Sequence, residues 1–195
     1  KTPEPLVRLG ADLVTVSGHK VGAPKGVGAL YIKKGVRLRP LLTGGGQEEG
    51  LRSGTEATAQ IAAFAAAVRA NLADPGRLER AAAIKEYTLS KLKEAVPKLE
   101  VISVGDAPHI CAVTLPGYKS EVIVRVLGDR GVCVSSGSAC HKGKPSHVFA
   151  AMNLPKPWLD GALRLSFSPD STQEEADALA SALKDAADSL FTTLS

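Results

Sequence analysis

Long apolar runs are missing from this sequence. None approaches the roughly 20 residues that a membrane helix needs, and no signal-peptide pattern stands at the start. The expected partners therefore do not include a membrane. Cysteine is scarce. Cys111, Cys133 and Cys140 make an odd count with no CxxC spacing. That argues against a disulfide framework and fits the reducing cytoplasm. Aromatic residues make up only 4% of the chain, and the net charge is a modest +4. The one dense basic cluster, Lys33, Lys34, Arg37 and Arg39, has Tyr31 alone as an aromatic neighbour. Without a stacking platform it reads as a solvated turn, and nucleic acid is not expected as a partner. Gly44-Gly45-Gly46 fits neither a Walker loop nor a dinucleotide fingerprint.

What is present is an ordinary globular composition. In 195 residues, 44% are hydrophobic and 23% charged, enough for one domain with a core, or one domain plus a piece of another. Residues 12–16 and 27–32 read as strands, the first of them buried. A long irregular segment, 33–52, follows. Ser53-Gly54-Thr55-Glu56 predicts a capping box opening a helix over 54–72. Asp74-Pro75 opens a second helix that stops before Pro97. Beyond it the pattern alternates: strands at 99–104 and 110–115, a helix at 121–129, and a strand at 132–135. A short helix at 145–152, a strand at 162–168, and a helix capped by Ser171 and Glu174 complete it. The residues from Pro75 onward make a self-consistent α+β unit, whereas the first 52 hold too little to close a core.

Four groups of residues could carry chemistry. Lys20 lies between the end of a strand and a Gly/Pro-rich turn, with Ser17 and His19 beside it. A rigidly held, partly desolvated amine can form a Schiff base, and the flanking donors with turn amides can hold an anion. The pair of properties suits pyridoxal phosphate, although a lysine after a strand also reads as a solvated charge. Thr55 falls in the first turn of the predicted helix, where free amides favour an anion. Cys140 sits beside His141, Lys142 and Lys144, whose charge lowers a thiol pKa and makes it a candidate nucleophile. Cys111 and Cys133 fall in apolar strand patterns and read as small buried hydrophobes. Arg164 alternates with Leu163 and Leu165, so it points away from the core with a fork suited to a carboxylate. Cys140, His141 and His147 lack the spacing of a metal site, and no metal is expected.

The order of these blocks is distinctive. "SGHKVGAPKGVGALYIKKG", "GGGQEEGLRSGTEA", "VCVSSGSAC" and "ALRLSFSPDSTQEE" together resemble the C-terminal half of cysteine desulfurases of the NifS/IscS type. These are class V aminotransferase-family enzymes of PLP fold type I, and the resemblance runs over essentially the whole chain. It implies an α/β fold. Residues 1–74 would be the tail of the cofactor-binding large domain, and 75–195 a small C-terminal α+β domain with a sheet packed by helices. Lys20 would carry pyridoxal 5′-phosphate covalently and later move protons at the substrate carbons. Ser17, Gly18 and His19 would bind the cofactor, with Ser17 and His19 at its phosphate. Thr55 would reach the phosphate held by the other subunit of a homodimer. Arg164 would clamp the carboxylate of L-cysteine. Cys140 would take the sulfur as a persulfide, releasing L-alanine, and pass it to a sulfur-acceptor or scaffold protein, as in iron–sulfur cluster assembly. His141 could assist by deprotonating Cys140, although the resemblance does not require it.

Family members are about twice this length, and the missing part is N-terminal. The resemblance therefore implies a fragment that alone binds cofactor poorly and turns over little. A selenocysteine lyase, or another lyase of the same family, fits the same residues. So does a stand-alone docking module with Cys140 as a passive persulfide carrier. The net positive charge leaves a nucleic-acid binder as a further rival.

Overall fold

The computed structural model of the protein describes residues 6–136 and 146–192. The chain divides into two compact units, Lys1–Pro75 and Gly76–Ser195.

In the first unit, β1 (Leu13–Ser17) pairs antiparallel with β2 (Gly28–Ile32), placing Leu13 opposite Ile32 and Ser17 opposite Gly28. Both strands lie within a residue of where apolar patterning puts them. The expected burial of β1 does not hold: Leu13 is 44% exposed, and Leu30 on β2 is 48% exposed. The two strands and the helix of this unit enclose little apolar surface. Among the described residues of this unit only Gly18 and Ala23 are buried. The 33–52 segment is irregular apart from a short 3-10 turn at Glu48–Gly50.

The first helix, α1 (Thr58–Leu72), starts four residues later than the capping-box pattern predicts, with Ala57 as its N-cap and no side-chain cap. Two causes are visible. Gly54 has φ of 123°, which a right-handed helix excludes. The Ser53 hydroxyl is committed to Gly45, accepting from its amide at 2.9 Å and donating to its carbonyl at 3.0 Å.

The second unit has a true core. α2 (Arg77–Ala95) begins just after the predicted Asp74-Pro75 start, with Gly76 at its N-cap. Strands β3 (Glu100–Ser103), β4 (Ile110–Thr114) and β5 (Ala162–Ser166) form one antiparallel sheet in that order. Ala112 pairs with Arg164 and Val113 with Leu163. Side-chain alternation puts Cys111, Val113, Leu163 and Leu165 on one face. There they join α2, α3 (Ser120–Asp129) and α6 (Gln173–Ser189) around Leu92, Ile123, Leu127 and Leu183. On the other face Ala112 and Ala162 pack with Phe149 of α4 (His147–Ala151) and partly buried Leu159 of α5 (Lys156–Asp160). No helix among the described residues is long and apolar enough to cross a membrane.

Three local expectations change. The predicted 132–135 strand reduces to a single bridge, with Ser135 exchanging both backbone bonds with Arg164. The amide of Val132 instead closes α3 by donating to the Leu127 carbonyl at 2.9 Å. The pattern predicts no element over 153–161, where α5 forms with Pro157 in its first turn, a position at which a missing N–H costs nothing. The last capping box is made by Thr172 and Glu175, one residue beyond the predicted pair. The Ser171 hydroxyl accepts from the Ser168 amide at 3.1 Å.

Candidate functional site

Lys20 lies in a single 3-10 turn, Gly18–Val21, that begins where β1 ends. Gly22 closes the turn with φ of 88°, a left-handed conformation that glycine takes without strain, and its amide donates to the Gly18 carbonyl. The Ala23 amide reaches the same carbonyl at 3.1 Å, and the Gly18 amide donates to the Val27 carbonyl at 2.9 Å. Position 18 is sterically closed: a Cβ there would lie 2.8 Å from the Val27 carbonyl oxygen and 3.2 Å from the Ala23 Cβ. The backbone is thus held from within while Ser17, His19 and Lys20 are exposed. One turn presents a hydroxyl, an imidazole and an amine together. From α1, the Asn71 side-chain amide donates to the Val21 carbonyl at 2.8 Å and to Ala67 in its own helix at 2.6 Å. Nothing in the sequence signals this contact, because the residues are 50 apart and an Asn near a helix end reads as a cap.

Thr55 is not in the first turn of a helix as expected; it lies three residues ahead of α1 and is exposed. Its approach is built by the loop before it. The Ser53 amide donates to the Leu42 carbonyl at 3.2 Å, the Gly54 amide to Gln47 Oε1 at 3.2 Å, and Ser53 clasps Gly45 as described. The glycines are thus part of a hydrogen-bonded loop that delivers Thr55.

In the second unit, Leu163 and Leu165 are 1% and 3% exposed and face the core, while Arg164 lies on the other side of β5. Its Nε is buried without a hydrogen-bond partner. A buried donor left unpaired is costly, and this one belongs to a guanidinium lining a groove of about 250 Å³ with Val104, Gly105, Phe149 and Met152. Cys111 lines the same groove, yet burial pushes its thiol up to about 11, offset only in part by the ammonium of Lys85. It stays protonated at neutral pH and is no nucleophile. Lys85 itself, also unsignalled in the sequence, is buried and donates to the Val104 and Ala107 carbonyls at 3.2 and 2.9 Å, holding the groove's rim.

Cys133 departs from expectation: it is an exposed free thiol outside any strand, because among the described residues 130–136 only Ser135 bridges to the sheet. It lines a larger cleft of about 400 Å³ with Phe167, Thr172 and Glu175, which contains none of the predicted site residues. The candidate nucleophile Cys140 and its neighbour His141 lie outside the described residues. Ser17, Gly18, His19 and Lys20 come together on one turn of the first unit, with Thr55 elsewhere in that unit, and Arg164 belongs to the second.

Comparison with known proteins identifies the relatives. The chain is 40% identical over 182 residues to cysteine desulfurase 2 of Trichormus variabilis, covering 91% of this chain and 46% of that protein. It is 42% identical over 172 residues to a NifS/IcsS protein homolog of Lactobacillus delbrueckii subsp. bulgaricus, covering 85% and 44%. The solved NifS-like protein from Rickettsia africae superposes with a TM-score of 0.85 at 28% identity, over 95% of this chain and 50% of that one. The chain spans about half the length of the curated relatives it matches. The family described as Aminotransferase class-V matches residues 2–179, and with the fold in agreement, the chain belongs to the class-V aminotransferase family.

Proposed function

We propose that this chain is part of a cysteine desulfurase that moves the sulfur of L-cysteine onto Cys140 and releases L-alanine. The observation that carries the reading is the Lys20 turn, which offers an amine, an imidazole and a hydroxyl from four consecutive residues on a backbone held from within. The first unit is read as the tail of the large cofactor-binding domain and the second as the small domain.

The family depends on pyridoxal 5′-phosphate. The donor set of the turn fits that group, because 17–22 contains no carboxylate to repel a phosphate and the side chains of Ser17, His19 and Lys20 are exposed. Lys20 would hold the cofactor covalently, Ser17 and His19 would hold its phosphate, and Thr55 would serve the phosphate in the other subunit of a homodimer. When bound, its protonated ring withdraws electrons from the bonds around the substrate α-carbon.

The protein's own residues account for the rest. The Arg164 guanidinium, with its buried unpaired Nε, receives the substrate carboxylate and orients the amino acid. The Lys20 amine, once free, takes the α-proton and returns protons to carbon. The Cys140 thiolate attacks the substrate sulfur. An S–S bond forms as the C–S bond breaks, the β-carbon gains the proton the thiol gave up, and the transferred sulfur keeps its own hydrogen. The sum is one L-cysteine and one thiol in, one L-alanine and one persulfide out, with no outside oxidant or reductant. The persulfide then passes to an acceptor or scaffold protein such as one that builds iron–sulfur clusters.

Incubating the full-length protein with L-cysteine tests this. Alanine should form and Cys140 should gain the mass of one sulfur atom. Lys20→Ala should abolish both, and Cys140→Ser should abolish the mass gain. Sulfur transfer surviving Lys20→Ala without pre-loaded persulfide would leave a passive carrier as the correct reading. Turnover of L-selenocysteine with none of L-cysteine would point to a selenocysteine lyase.

A further inference from the structure

The bond from Asn71 to Val21 does more than fasten a helix to a loop. We infer that Asn71 is a positioning residue for Lys20, fixing the amine-bearing turn against α1; the inference rests on the reading of Lys20 as the cofactor lysine. Val21 directly follows Lys20, and its carbonyl stands at the end of the 3-10 turn, where carbonyls lack partners within the turn. The other bonds of the turn, from Gly22 and Ala23 to Gly18 and from Gly18 to Val27, lie inside the hairpin loop. They shape the turn without attaching it to anything. Among the described residues, Asn71 makes the one side-chain hydrogen bond to the 18–27 loop.

The geometry suits a fixed anchor. Both partners of Nδ2, Val21 and Ala67, are carbonyl oxygens, so the amide can face them only with its NH2 group. The bond to Ala67, four residues back, locks the rotamer that reaches Val21. Asn71 is half-buried, which shelters the bond from water. It also interrupts an alanine-rich helix with a weaker helix former at the one place where a donor reaches the turn. A Schiff-base lysine acts only from a defined position, and displacements near 1 Å cost large factors in rate.

Two substitutions in the cofactor-loaded full-length protein separate positioning from support. Asn71→Leu keeps the size and removes both donors. Asn71→Asp keeps the shape but sets a carboxylate against two carbonyls. Both should speed cofactor release by about tenfold and lower kcat by about tenfold with little change in KM. Both should also displace the pH titration of the visible absorbance band, with Asp the more severe. A drop in thermal midpoint with unchanged release rate and unchanged titration in both variants would overturn the inference and leave Asn71 as structural support. Should Leu prevent folding, Asn71→Ala supplies the donor-free measurement. The two readings fail differently: a visible band that survives Lys20→Ala removes the cofactor assignment, whereas unaltered release in the Asn71 variants removes only the anchor.

Discussion

Ser53 and Gly45 satisfy one another: the serine Oγ accepts from the glycine amide at 2.9 Å and donates to the carbonyl of the same residue at 3.0 Å. Eight residues of loop are closed by one hydroxyl, and Thr55 stands two residues beyond it. Ser53→Ala should leave both Gly45 groups to water at a cost of about 1 kcal/mol. Hydrogen exchange at the Gly45 amide should accelerate by about fivefold or more, while Ser53→Thr should retain most of the protection. Amide exchange read by NMR checks this directly.

With the substrate role proposed for it, Arg164 would trade stability against substrate use. Its Nε is buried and unpaired, so Arg164→Met should cost no more than about 1 kcal/mol of folding stability and can raise it. On the proposed role of Arg164 at the substrate carboxylate, the same change in the full-length protein should raise KM for L-cysteine by about a hundredfold, because the carboxylate would lose a forked, charged partner. Arg164→Lys, a point charge without the fork, should fall between, at about tenfold. Denaturant melts alongside initial rates separate the two effects.

Cys111 should impose a pH dependence on the second unit. Its thiol, ordinarily near 9, is pushed up to about 11 by burial. Between those values the unfolded chain has lost the proton and the folded chain still holds it. Stability is therefore full below about pH 9 and falls as pH rises toward 11, by about 2 kcal/mol. Cys111→Ala should flatten that slope at the cost of a small cavity. At pH 8 an alkylating reagent should modify exposed Cys133 and spare Cys111.

At the start of α6, Thr172 and Glu175 cap each other's backbone amides, at 3.3 and 3.1 Å. Thr172→Ala should lower stability by about 1 kcal/mol, and Thr172→Ser by much less. A shift of the urea midpoint without a change in slope would confirm that only the cap was lost.

The strands and the long helices were legible because their signals are periodic. Val14 and Val16, or Leu163 and Leu165, alternate as half-buried strands do, and Ile61, Phe64 and Val68 recur at helical spacing. What misled were polar residues with two possible partners. Ser53 can cap a helix or clasp a loop, and the choice depended on Gly45, which the local pattern does not bring near. Ser171 and Thr172 offer two registers for one capping box, and the bond from Ser168 decided between them. At the candidate site, Lys20, Ser17, His19 and Arg164 were visible as residue types in order along the chain. Asn71 and Lys85 were not, because each acts by donating to a backbone carbonyl, and a carbonyl leaves no mark on the sequence.

Mutational tolerance in the first unit should run opposite to residue size. Leu13, Leu30 and Ile61 are more than 40% exposed within the unit, and trimming them removes little contact there. Adding one methyl group at Gly18 drives it into the Val27 carbonyl and the Ala23 side chain. A library of single substitutions in the full-length protein, scored for retained folding, should find among the least forgiving positions of this unit two residues without side chains, Gly18 and Gly28, where a Cβ would lie 2.8 and 2.5 Å from a backbone oxygen.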